Sequence, residues 1–128
     1  MRFLLDTVAL YRAATAPHTL SADVSAVLTD NAHELFVSTV SAWEMAIKTS
    51  IGKLALPCQV EEFFAQAARD LLAETLPLDL RFIAKVATLP HHHGDPFDRM
   101  IIAQALVQGY TVISSDEQFA SYGVRVLW

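Results

Sequence analysis

Short apolar runs alternate with helical periodicity along the whole chain, and this alternation leaves few folds open. Phe3 to Leu5, Leu35 to Ser38, Leu76 to Leu78, Thr111 to Ser114 and Val124 to Trp128 read as strands, and the segments between them carry helical patterns. A β-α-β-α order predicts a mainly parallel five-stranded sheet covered on both faces, that is, a three-layer α/β/α sandwich. The 128 residues are 53% hydrophobic, enough for one core of ordinary size. No repeat or low-complexity tract occurs. Pro57 with Cys58 and the stretch Pro90 to Gly94 are loops too short to separate domains, so residues 1–128 are expected to form one domain.

Three helices can be read in detail. Val60, Phe63, Phe64, Ala67, Ala68, Leu71 and Leu72 follow the i, i+3, i+4 spacing of an amphipathic helix. Its apolar face is wider than a small sheet covers, which predicts a homodimer. A second helix, Val40 to about Leu54, places Val40, Trp43, Ile47, Ile51 and Leu54 on one apolar stripe with Glu44 at its edge. A third starts at Asp95-Pro96-Phe97-Asp98, where one aspartate caps, proline takes the first helical position and the second aspartate is placed to answer the cap. It runs to Gly109 and is apolar on nearly every side, so it is expected to be buried between the sheet and another element or a second subunit.

Four acids stand at the places where an open α/β sheet collects side chains. Asp6 and Asp116 end apolar strands, on the edge where such sheets bind ligands. Each has a plainer reading as a helix cap. Glu44 reads as a ligand, as the i+4 partner of Lys48, worth only ~0.3–0.5 kcal/mol on a surface, or as both, with Lys48 screening the acid. Asp98 is explained by the capping box, yet the positive end of its helix would also help to keep it ionised; for Asp95 the cap is the better reading. Ser114 or Ser115 is placed to donate into the pocket or cap the next turn. If the four acids converge, they demand a divalent cation, because packed carboxylates cannot all stay charged without one. His91-His92-His93 reads as a loop of solvated imidazoles, since consecutive histidines cannot all face one ion. His93, close to Asp95, could still orient the loop or touch a phosphate.

Charge and cysteine content limit the function classes. Fourteen acidic and nine basic residues give a net charge of −5, which argues against nucleic-acid binding through a broad cationic surface. A bound cation would offset this locally. The single Cys58 offers neither an internal disulfide nor a thiolate cluster, so a reducing, cytoplasmic setting is expected. Asp6 interrupts the first apolar run before a signal-peptide core forms, and no stretch reaches the ~18 apolar residues of a membrane span.

Asp6 in LLDT, Glu44 in SAWEMAIK, Asp98 in HGDPFDRMIIAQA, Asp116 in SSD and the closing VRVLW together resemble PIN-domain ribonucleases of the VapC toxin type, nearly end to end and in the same order. The resemblance implies a sheet of order 3-2-1-4-5, with the first and fourth strands adjacent across the switch point. It implies an acidic quartet of Asp6, Glu44, Asp98 and Asp116 holding Mg²⁺ or Mn²⁺, with Asp95, His93 and Arg99 at recurring positions. It implies endonucleolytic cleavage of single-stranded or structured RNA leaving a 5′-phosphate, and a small antitoxin whose arm fills the pocket, in a homodimer or higher toxin–antitoxin assembly. Gly94 and Ser115 stand where basic residues are common, which removes positive charge from the RNA-binding side.

Three other readings compete with this one. A haloacid-dehalogenase-type phosphatase needs a second acid two residues after Asp6, where Val8 stands. A receiver domain needs an acidic pair before the first strand's aspartate and a late lysine, and neither is present. A catalytically inactive PIN-like interaction module would keep the fold without the chemistry.

Overall fold

A computed structural model describes residues 1–128. β1 (Arg2–Leu5), β2 (Glu34–Ser38), β3 (Glu74–Leu76), β4 (Thr111–Ile113) and β5 (Val126–Leu127) form one sheet in the order β3-β2-β1-β4-β5. Every pairing is parallel. Leu5 lies opposite both Val37 and Ile113, so the carboxyl ends of β2, β1 and β4 come level at one edge.

Strand alternation divides the apolar side chains between two cores. Leu4, Phe36 and Val112 face a layer built on α5 (Leu80–Val86) and α6 (Pro96–Gln108), together with Phe119 and Tyr122. Phe3, Leu5, Leu35, Val37 and Ile113 face α1 (Thr7–Thr15), α2 (Ala22–Thr29) and α4 (Val60–Asp70). α3 (Thr39–Ser50) straddles the edge, giving Val40 to one core and Met45 to the other. The expected three-layer sandwich is what forms.

Several boundaries differ from the sequence expectation. β3 lies two residues earlier than Leu76 to Leu78, because Pro77 lacks the N–H that a continuing ladder needs and Asp79 turns the chain into α5 as its N-cap. β4 stops at Ile113, and only Val126–Leu127 of the last run pairs. α3 ends at Ser50 rather than near Leu54; Gly52, at φ +73°, takes the chain off the helix.

Two packing expectations are overturned. The apolar face of α4 is covered within the chain, with Phe63, Phe64, Ala67 and Ala68 buried, so it gives no reason for a dimer. On α3 the inward face is Ser41, Glu44 and Met45, whereas Trp43 is 55% exposed and Ile47 and Ile51 face outward with it. On that inward face, Thr7 Oγ1 of α1 donates to Ser41 Oγ at 2.9 Å in a buried contact. α6 is buried as expected, and the element lying over it is α5 of the same chain.

Candidate metal centre and active site

The site is assembled from turns that follow strands. Asp6 closes β1 and caps α1, its Oδ1 accepting the Ala9 N–H at 2.8 Å. Asp116 follows β4 and caps the 3₁₀ turn Glu117–Tyr122, its Oδ1 accepting from Gln118 N at 2.9 Å. Asp95 caps α6, its Oδ1 accepting from Phe97 N and Asp98 N. The plain reading is therefore correct for all three. In Asp6 and Asp116, however, the cap uses only Oδ1, which leaves Oδ2 for other contacts.

The capping box expected at α6 is half formed. Asp98 does not return to the Asp95 N–H, which donates instead to His93 Nδ1 at 3.0 Å. Released from that duty, the Asp98 carboxylate turns into the pocket, where its Oδ2 lies 3.1 Å from His93 Nε2. Asp116 Oδ2 lies 2.9 Å from the same nitrogen. Because Nδ1 accepts a hydrogen bond, the imidazole proton must sit on Nε2, and His93 donates to the acids as a neutral ring. In this tautomer it has no lone pair to offer a cation, although its nitrogen and the two carboxylates lie within 4.8 Å of one another. His91 and His92 are exposed, as expected of a solvated loop; His93 is not.

Glu44 is only 3% exposed. Its Oε2 accepts from Lys48 Nζ at 2.5 Å, while Oε1 is buried without any partner. Leaving a charged oxygen buried and unpaired is costly, so this atom awaits a cation or a donor. In Glu44 one oxygen is thus paired and the other is buried without a partner. Lys48 is held protonated by the same contact, its pKa raised first by the hydrogen bond to Glu44 and further by the charges of Asp95 and Asp98.

The electrostatics show that the acids converge. Burial pushes Asp6 up to about 6, with the charges of Glu44 and Asp116 adding to the rise, while the Ser114 hydroxyl and Ala9 N–H oppose it. Burial likewise pushes Asp98 up to about 7, reinforced by Asp95, Glu44 and Asp6. Asp98 and Asp116 thus meet at His93 Nε2, while the charges of Glu44 and Asp116 reach Asp6 and those of Glu44 and Asp6 reach Asp98. The donor set is all carboxylate oxygen, with a buried one left over, and this suits a hard divalent cation.

Ser114, not the exposed Ser115, is the pocket hydroxyl: it is 1% exposed, and its Oγ accepts from Asp116 N at 3.0 Å. Arg99 points elsewhere. Its Nη1 donates to Pro90 O at 2.7 Å and to Tyr122 Oη at 3.0 Å, pinning the histidine loop from behind. Tyr122 Oη also accepts from His92 N and His93 N. Sequence reasoning missed Tyr122, and no local signal could have found it, since it acts across 29 residues of separation from His93.

A parallel sheet of order 3-2-1-4-5 with acids pooled at its carboxyl edge defines the class, an α/β/α protein with an acidic pocket at the switch point. A model of the PIN domain matches residues 3–124, and the chain belongs to the PIN domain family. It is 28% identical over 120 residues to ribonuclease VapC22 of Mycobacterium tuberculosis, covering 93% of this chain and 90% of that protein. Among solved structures it is similar to VapBC2 of Rickettsia felis bound to a promoter DNA fragment, with TM-score 0.72 and 12% identity over 99% of this chain and 98% of that one. DNA-bound VapBC of Salmonella typhimurium gives TM-score 0.71 and 16% identity, with 99% and 97% covered.

Proposed function

We propose that the chain is a metal-dependent endoribonuclease and the toxin of a toxin–antitoxin pair, with residues 1–128 acting as one PIN-like domain. The observation that carries this reading is the convergence of Asp6, Glu44, Asp98 and Asp116 with Glu44 Oε1 buried and unpartnered. Asp6, Asp98 and Asp116 would hold Mg²⁺ or Mn²⁺ through the oxygens that capping leaves free, and Glu44 would ligate or orient water. The chemistry these residues would gain from a bound divalent cation is polarisation of the RNA phosphodiester and activation of a water for in-line attack. The chain's own groups prepare the site: Ala9 N–H and Ser114 fix Asp6, Lys48 fixes Glu44, and His93 Nε2–H fixes Asp98 and Asp116.

The likeness to a VapC ribonuclease and to VapBC complexes supports an antitoxin partner. A groove of about 340 Å³ lined by Thr7, Val8, Tyr11, Arg12, Met45 and Lys48 opens beside Asp6 and Glu44 and suits an antitoxin arm. We also expect a homodimer and a cytoplasmic setting; no helix is long and apolar enough to cross a membrane.

One observation favours the rival, an inactive PIN-like module: His93 already bridges Asp98 and Asp116 as an internal donor. Cleavage of labelled RNA decides between them. Activity with Mg²⁺ or Mn²⁺, abolished by EDTA and reduced by orders of magnitude in Asp6→Asn and Asp98→Asn, is expected. Undiminished cleavage by both variants, or none by the wild type with either metal, overturns the assignment. A small DNA-binding protein encoded immediately upstream would support the toxin role.

A further inference from the structure

His93 offers its one ring proton to two acids of the site. Nε2 lies 2.9 Å from Asp116 Oδ2 and 3.1 Å from Asp98 Oδ2, in a side chain only 15% exposed. Asp116 has already given Oδ1 to the Gln118 N–H, so the oxygen that His93 holds is the one Asp116 has left for a cation. A cation drawn to these two oxygens would meet the positive end of the Nε2–H bond and no lone pair. Nor can the ring turn ligand where it stands. A lone pair on Nε2 requires the proton on Nδ1, and there the Asp95 N–H, with its nitrogen 3.0 Å away, already points as a donor.

The ring is also an incomplete substitute for a cation. It serves two carboxylates with one N–H, while Glu44 Oε1 stays buried without a partner. A divalent ion brings two charges and room for about six oxygen ligands. What holds the loop is separate from what holds the ring. His92 N and His93 N donate to Tyr122 Oη, and Arg99 Nη1 donates to Pro90 O, so the loop is anchored through its main chain. Rotation of one side chain between staggered rotamers therefore releases both carboxylates without moving the loop.

We infer that His93 is an internal stand-in for the cation: its Nε2–H holds Asp98 and Asp116 together, and a cation binds by displacing the ring. The inference rests on the metal-dependent reading of this site and adds a residue of the chain that competes with the metal. Only molecules with the ring turned aside are competent to bind, so the apparent dissociation constant exceeds the intrinsic one by the inverse of that fraction. Losing one hydrogen bond to a charged group shifts such a balance roughly 10-fold or more.

Two substitutions separate the ring's two nitrogens. Asparagine keeps an acceptor near the place of Nδ1, for the Asp95 N–H, and puts nothing at Nε2. Glutamine reaches the place of Nε2 with an amide donor. Calorimetric titration of EDTA-stripped protein with Mn²⁺ is expected to give a dissociation constant roughly 10-fold lower for His93→Asn than for wild type, with His93→Gln close to wild type. A second measurement needs no variant and stands even if both substitutions prevent folding. In nitrogen-edited NMR of the wild type, the Nε2–H proton, shielded between two carboxylates, is expected as a slowly exchanging signal that Mg²⁺ abolishes. Equal or weaker Mn²⁺ binding by His93→Asn overturns the inference, because the ring would then be a ligand or a support of the bound state. So does an Nε2–H signal that persists while the Asp6 and Glu44 amide signals show Mg²⁺ bound. The nuclease reading fails separately: Mn²⁺ bound by His93→Asn and not by wild type upholds the displacement and leaves the inactive module, whereas binding by neither removes both.

Discussion

A carboxylate has two oxygens, and this site uses them separately. Asp6 and Asp116 each give Oδ1 to a helical turn and keep the other oxygen for the pocket; Glu44 gives Oε2 to Lys48 and keeps Oε1. Substitution separates the two duties of Asp6. Asparagine keeps an oxygen for the Ala9 N–H and removes a charge from a crowded pocket, so metal-free Asp6→Asn is expected to be at least as stable as wild type at neutral pH. Asp6→Ala loses the cap as well and should melt below Asp6→Asn by about 0.5–2 kcal/mol in denaturant titrations. Equal stability of the two variants would show that the cap contributes nothing. For His93, nitrogen NMR of the metal-free protein is expected to find the proton on Nε2, because the Asp95 N–H occupies Nδ1. A proton found on Nδ1 would contradict the hydrogen bonding described above and return the ring to the set of possible ligands.

At the scale of elements, the site depends on how turns are tied rather than on the lengths of helices and strands. The loop from Pro90 to Gly94 has no regular structure, yet Tyr122 Oη and Arg99 hold it from the opposite side of the pocket. Tyr122→Phe removes the acceptor for two backbone N–H groups and one guanidinium N–H. A loss of about 1–3 kcal/mol is expected, with faster amide exchange at His92 and His93 and little change in the strands. Unchanged exchange at those amides would mean that Arg99 alone holds the loop. The capping signals at Asp95, Pro96 and Gly109 could be read directly, because a cap is a local event: side chain and N–H lie within three residues of each other. The facing of α3 could not. Its apolar stripe at Trp43, Ile47 and Ile51 and its buried line at Ser41, Glu44 and Met45 both fit helical spacing, and only tertiary contacts, among them Thr7 with Ser41 and Met45 with the core, distinguish them.

At the scale of the whole molecule, pooling acids is a cost that the fold bears. Unfolded aspartates ionise near pH 4, whereas folded Asp6 and Asp98 hold their protons up to about 6 and about 7. Between those values the folded state binds more protons than the unfolded one, so the contribution of these groups to stability falls as pH rises from about 4 to about 7 and then levels off. Thermal melts across that range should show a downward slope in the metal-free protein that flattens in an Asp6→Asn, Asp98→Asn double variant. On the proposed metal reading, Mn²⁺ would compete with these protons, and its stabilising effect is expected to grow with pH over the same window. A slope equally steep in the double variant would mean that the two acids do not share a pocket.

The sequence by itself determined the layer architecture, the parallel sheet and the positions of the four acids, because strand runs, caps and strand-ending carboxylates are written in neighbouring residues. The tertiary structure decided what those acids do. It levelled the ends of β1, β2 and β4, set Glu44 inward and Trp43 outward, and drew His93 between Asp98 and Asp116. Each of these outcomes depends on a contact between residues far apart in the chain, and local spacing holds no information about which distant partner will be there.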